Sequence, residues 1–148
     1  MMMSLGQAVR NAIETENAAE RFYAGLAKRT DDGDARRFLE DMSVQEAEHA
    51  ESLERLIGKL DGDAPASADV DVSAVEAGPA WVVDASLGFA DALRVAIENE
   101  DMAHQTYVQL GSSCQDPKVQ SFFVEMAGAE RKHAEQLADL LEATEALS

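Results

Sequence analysis

Adding 84 to a position in the first half of this chain lands on its counterpart in the second half without a gap: Ile13 maps to Ile97, Tyr23 to Tyr107, Leu26 to Leu110, Phe38 to Phe122, Met42 to Met126 and Leu53 to Leu137. The two halves are therefore copies of one unit. The repeated apolar positions recur at helical spacing. From Ser4 to about Arg29, Leu5, Val9, Ala12, Ile13, Ala19, Tyr23 and Ala27 share one face, with Arg10, Asn17 and Arg21 opposite. The run Thr-Asp-Asp-Gly-Asp at 30–34 is breaker and capping chemistry, and Leu39, Met42, Leu53, Ile57 and Leu60 mark a second helix over about 34–60. A third helix is expected from an N-cap at Ser86 to about 112, then a Ser-Ser-Cys-Gln-Asp-Pro turn, then a fourth over about 116–146 carrying Phe122, Phe123, Met126, Leu137, Leu140 and Leu141. The reading is all-α, with no strands: two helical hairpins joined by a connector at 61–85, which is acidic and carries Pro65, Pro79, Gly62 and Gly78.

An amphipathic repeat explains matching apolar positions. It does not explain why Glu16 maps to Glu100, Glu46 to Glu130 and His49 to His133. On a helical wheel Glu16 falls inside the Val9, Ile13 and Tyr23 stripe, and Glu46 inside the Met42, Leu53 and Ile57 stripe, so both carboxylates face the core. An isolated buried carboxylate costs at least several kcal/mol, and four of them in one core need protonation, strong donors or a cation. Two divalent cations would neutralise all four. Glu16 and His49 each lie about sixteen residues from the first turn, roughly 25 Å at 1.5 Å per residue, so they meet at one level. The same reckoning brings Glu100 level with His133. Within each Glu-x-x-His pair the spacing puts both side chains on one helix face. Carboxylate and imidazole ligands without thiolate suit iron or manganese, with zinc as the usual competitor.

Composition narrows the rest. A length of 148 residues with 46% apolar and 28% charged residues fits a single domain over 1–148. The single cysteine, Cys114, excludes an internal disulfide or a four-cysteine metal site within the chain, and is expected to be a reduced, inert thiol. A net charge of −17 repels phosphate backbones and anionic lipid, which argues against nucleic acid and membranes as partners. Neither a long apolar run nor a signal-peptide pattern is present in the sequence, and the expected localisation is cytoplasmic.

The first half reads Glu16-Asn-Ala-Ala-Glu-Arg-Phe-Tyr23 and Gln45-Glu46-Ala-Glu-His49-Ala; the second reads Glu100-Asp-Met-Ala-His-Gln-Thr-Tyr107 and Glu130-Arg-Lys-His133. These stretches resemble the erythrin domain of the rubrerythrin family, without its rubredoxin part. One glutamate from each of two helices plus Glu-x-x-His from each of the other two is the pattern of ferritin-like di-iron bundles. The resemblance implies two iron ions bridged by Glu46 and Glu130, with Glu16 and Glu100 terminal and His49 and His133 capping one iron each. It also implies that Tyr23 and Tyr107 hydrogen bond to carboxylates of the site. Glu20 and His104, each four residues after a terminal glutamate, are candidates for additional contacts. The chain departs from the family at Ala103, where rubrerythrins carry a further glutamate.

A ferritin-like four-helix bundle is therefore expected, with a crossover connector. About twenty-five residues join the hairpins where plain neighbours need only two to eight. The same slack permits a domain-swapped homodimer. Trp81-Val-Val83 is expected either to pack on the bundle or to form an exposed patch for another subunit. The resemblance implies an oxidoreductase that reduces peroxide or dioxygen, with electrons from an external donor such as a rubredoxin or a flavoprotein reductase. The alternatives are a ferroxidase or iron-handling protein, and a non-enzymatic helical bundle serving as an interaction module.

Overall fold

The computed structural model describes residues 2–63, 69–71, 81 and 86–147. Its helices are α1 (Leu5–Ala27), α2 (Gly33–Asp63), α3 (Phe89–Ser113) and α4 (Pro117–Ala146). Three of the four, α1, α2 and α4, start where a side chain accepts from a free backbone N–H group. Ser4 caps α1 by accepting from the Gln7 amide at 3.0 Å, and Asp116 caps α4 by accepting from the Lys118 amide at 2.8 Å, with Pro117 at the first helical position. In the first turn, the Thr30 hydroxyl accepts from the Asp32 amide at 3.2 Å and the Asp32 carboxylate accepts from the Asp34 amide at 3.0 Å. The expected breaker residues thus close α1 and open α2.

Three boundaries differ from the sequence reading. The N-cap of α3 is Gly88, not Ser86, and that helix begins at Phe89. Helix α1 stops at Ala27, and α2 continues to Asp63, into the stretch assigned to the connector. The expectation of no strands is also corrected: β1 (Met2–Ser4) pairs antiparallel with β2 (Asp69–Asp71), Met3 opposite Val70. This ribbon ties the segment following α2 to the start of α1.

The connector's described anchor points sit at opposite ends of the bundle. Residues 69–71 lie beside the start of α1, whereas Trp81 packs on Phe22 and Tyr23 and the Arg29 guanidinium donates to the Leu87 carbonyl near the α1–α2 turn. Helix α3 runs parallel to α2, as a crossover requires. Val82 and Val83 lie outside the described residues.

The core is split in two. One cluster, with Val9, Leu53, Leu56, Leu110, Phe123 and Met126, fills the end holding the start of α1; the other, with Phe22, Leu26, Leu39, Leu93 and Leu137, fills the opposite end. Between them lies a polar layer.

Candidate metal centre

Each helix contributes one buried glutamate to that layer. Glu16, Glu46, Glu100 and Glu130 are 2%, 1%, 0% and 1% exposed, the buried acidic residues among those described. Their positions follow from helical geometry. Glu16 is framed by the buried Ala12 and Ala19, and small neighbours leave room for a carboxylate to point across the axis.

The histidines reach across to the other hairpin. His133 Nδ1 lies 2.7 Å from Glu46 Oε1, 3.7 Å from Glu100 Oε2 and 4.0 Å from Glu130 Oε1. His49 Nδ1 lies 2.8 Å from Glu130 Oε1, 3.6 Å from Glu16 Oε2 and 3.9 Å from Glu46 Oε1. Each distance in one half is matched within 0.1 Å in the other, so the sequence repeat is a two-fold axis through the layer. The tyrosines cross in the same way: the Tyr23 hydroxyl donates to Glu100 Oε1 at 2.7 Å, and the Tyr107 hydroxyl to Glu16 Oε1 at 2.6 Å.

Once these bonds are made, Glu16 Oε2, Glu46 Oε1, His49 Nδ1, Glu100 Oε2, Glu130 Oε1 and His133 Nδ1 remain buried with no hydrogen-bond partner. One atom from each of six residues is left over, and all six converge. They fall into two groups that share Glu46 and Glu130: Glu16, Glu46, His49 and Glu130, and Glu46, Glu100, Glu130 and His133, with the ligand atoms of each group within 4.8 Å of one another. His133 Nε2 lies 2.9 Å from Gln45 Oε1, which can only accept, so Nε2 carries the hydrogen and Nδ1 presents a lone pair. Two lone-pair atoms then face each other at 2.7 Å. Such an approach repels unless a cation or proton lies between them, and the donor set fits a pair of metal ions.

The electrostatics agree. Burial, followed by repulsion from Glu130, Glu100 and Glu16, pushes the Glu46 carboxyl well above its usual range; burial and repulsion from Glu100 and Glu16 do the same to Glu130. Burial also opposes the charge on Glu16, but its contacts with Glu46, His49 and Tyr107 outweigh burial and hold it below the usual range. Burial and the surrounding carboxylates raise both tyrosines well above their ordinary value, keeping them neutral donors.

Two expected contributors are placed elsewhere. His104 Nδ1 donates to the Ala127 carbonyl at 2.8 Å, binding α3 to α4, and His104 belongs to neither group. Glu20 is also in neither group; its backbone carbonyl accepts from the Ser43 hydroxyl at 2.9 Å, the equivalent tie between α1 and α2. Conversely, Gln45 has no role in the sequence reading. The signal was a break in the repeat, because its counterpart at 45 + 84 is Ala129.

The sequence profile of the rubrerythrin family matches residues 7–141. No curated protein matches the chain. Among solved structures, a Thermotoga maritima protein provisionally described as a ferritin-like diiron-carboxylate protein is similar over 97% of this chain and 98% of its own, with 20% identity and a TM-score of 0.82. A hypothetical protein from Pyrococcus furiosus is similar over 94% of this chain and 89% of its own, with 20% identity and a TM-score of 0.75. Both show the same fold.

Proposed function

Because this chain belongs to the rubrerythrin family, we propose that its polar layer is a di-iron centre at which peroxide or dioxygen is reduced with electrons from an external donor. The observation that carries the reading is the set of six unpartnered inward atoms. Glu46 and Glu130, the members common to both groups, would bridge; Glu16 with His49 and Glu100 with His133 would complete the two positions. Bound iron would supply reversible electron transfer and a Lewis-acid site for the oxidant.

The chain's own residues do the rest. Tyr23 and Tyr107 hold Glu100 and Glu16 by one oxygen, leaving the other aimed inward. The two apolar clusters close both ends of the layer, keeping bulk water from the carboxylates and strengthening their hold on a cation. Burial and mutual repulsion hold Glu46 and Glu130 well above the usual carboxyl range in the metal-free chain, so a bound cation would compete with protons there. The electron donor would be a rubredoxin or a flavoprotein reductase, and a homodimer fits the same reading.

The test loads the purified chain with iron(II) anaerobically and measures bound iron, then peroxide consumption with a rubredoxin and its reductase. Two irons per chain with sustained turnover support the proposal; two irons that reduce one equivalent and stop overturn the catalytic part. A second reading, iron oxidation and handling, draws on the net charge of −17, which attracts iron(II). It requires oxidation of added iron(II) well beyond two ions per chain.

A further inference from the structure

The two-fold symmetry of the centre fails behind its histidines. His133 is 1% exposed and its outward nitrogen is held by Gln45 at 2.9 Å. His49 is 15% exposed, and the residue equivalent to Gln45 is Ala129, whose methyl side chain can accept no hydrogen bond. The contacts of the inward nitrogens agree within 0.1 Å, so the difference between the halves lies behind the imidazoles and not in the ligand atoms.

We infer that Gln45 is a positioning residue that makes the two metal positions unequal: the His133 position binds first and tightly, and the His49 position is the one that exchanges. This rests on the metal-binding reading above. A neutral imidazole has two tautomers, and only the one bearing its hydrogen on the outward nitrogen can ligate through Nδ1. The Gln45 carbonyl selects that tautomer and fixes the ring plane before a metal arrives. His49 must find both on binding, at an entropic cost, and its partial exposure opens that position to solvent. Gln45 reaches His133 from α2 across to α4, so the hairpin carrying Glu46 also sets the histidine of the other hairpin.

Cobalt(II) titrated into the metal-free chain reads this directly, by its visible bands and by competition with a chelator. His49→Ala should retain one tightly held cobalt, and His133→Ala should hold its one cobalt more weakly. Adding Gln45→Ala should weaken cobalt binding roughly 10- to 100-fold in the His49→Ala chain and leave the His133→Ala chain unchanged. A merely structural role for Gln45 would weaken both backgrounds equally, which overturns the inference, as would equal affinities of the two single-histidine variants. Gln45 lies at an exposed position, and thermal unfolding of the metal-free variants confirms that they fold. Failure of the unsubstituted chain to bind cobalt at all overturns the metal reading itself, a result distinct from binding at two equal positions.

Discussion

Tyr23 on α1 donates its phenol to Glu100 on α3 at 2.7 Å, across 77 positions of sequence, while Tyr107 returns the same bond to Glu16. Each tyrosine serves the glutamate of the other hairpin, so the hairpins are held together through the polar layer as well as through the core. Tyr23→Phe leaves a buried carboxylate oxygen without its donor, and a lost hydrogen bond to a charged group costs about 1.5–3 kcal/mol. Tyr107→Phe should cost the same within experimental scatter. Urea unfolding of the metal-loaded proteins measures both, and a loss in only one variant would contradict the symmetric pairing.

Glu46→Gln should act with opposite sign on the two forms of the protein. In the metal-free chain it removes a carboxyl whose charged form is opposed by burial and by three other glutamates, so thermal stability near neutral pH should rise. In the metal-loaded chain it removes a ligand of both positions, and bound iron should fall from two ions to one or fewer. Elemental analysis and calorimetry on the same preparations check this; a fall in stability of the metal-free variant would show that Glu46 is satisfied without metal.

The pH dependence follows from the same groups. Glu46 and Glu130 are held above the ordinary carboxyl value of 4.5, so their contribution to the metal-free fold is greatest in acid and is lost as pH rises past that value. Glu16, held below it, works in the opposite sense and gains as pH rises. Metal binding removes the penalty on Glu46 and Glu130. The difference in melting temperature between loaded and metal-free protein should therefore widen as pH rises above the ordinary carboxyl value of 4.5, at about 2–4 °C per kcal/mol. A constant difference would mean these carboxyls do not titrate with metal loss.

His104→Ala should leave metal content unchanged and cost about 1 kcal/mol, the worth of its bond to the Ala127 carbonyl. Loss of an iron on this substitution would place His104 at the centre after all.

Trp81, the only tryptophan, sits 5.3 Å from the Tyr23 ring, one hydrogen bond away from Glu100. Its fluorescence should fall as cobalt(II) fills the His133 position and change little in Glu100→Ala. An unchanged signal on binding would separate this ring from the centre.

The sequence by itself determined the helices, the repeat and the six inward residues, because each is a local matter: an apolar stripe has a period, and a charged residue inside it has a direction whatever packs against it. The Thr30 to Asp34 stop was legible for the same reason, since capping acts within one turn. Residues 64–68, 72–80 and 82–85 of the connector lie outside the described residues, but its two anchors required the fold, because a strand pair such as Met3 with Val70 and a ring contact such as Trp81 with Phe22 join residues with no periodic relation. Only the tertiary structure decided which copy serves which. Spacing brings Glu16 and His49 to one level, with Tyr23 two turns further along the same face, but is silent on whether a side chain bonds within its hairpin or across the axis. The answer, His49 to Glu130, His133 to Glu46, Tyr23 to Glu100, depends on how the second hairpin is turned against the first. The same holds for Gln45 and His104, two polar side chains on similar helix edges, one directed by packing to a histidine of the centre and the other to a backbone carbonyl.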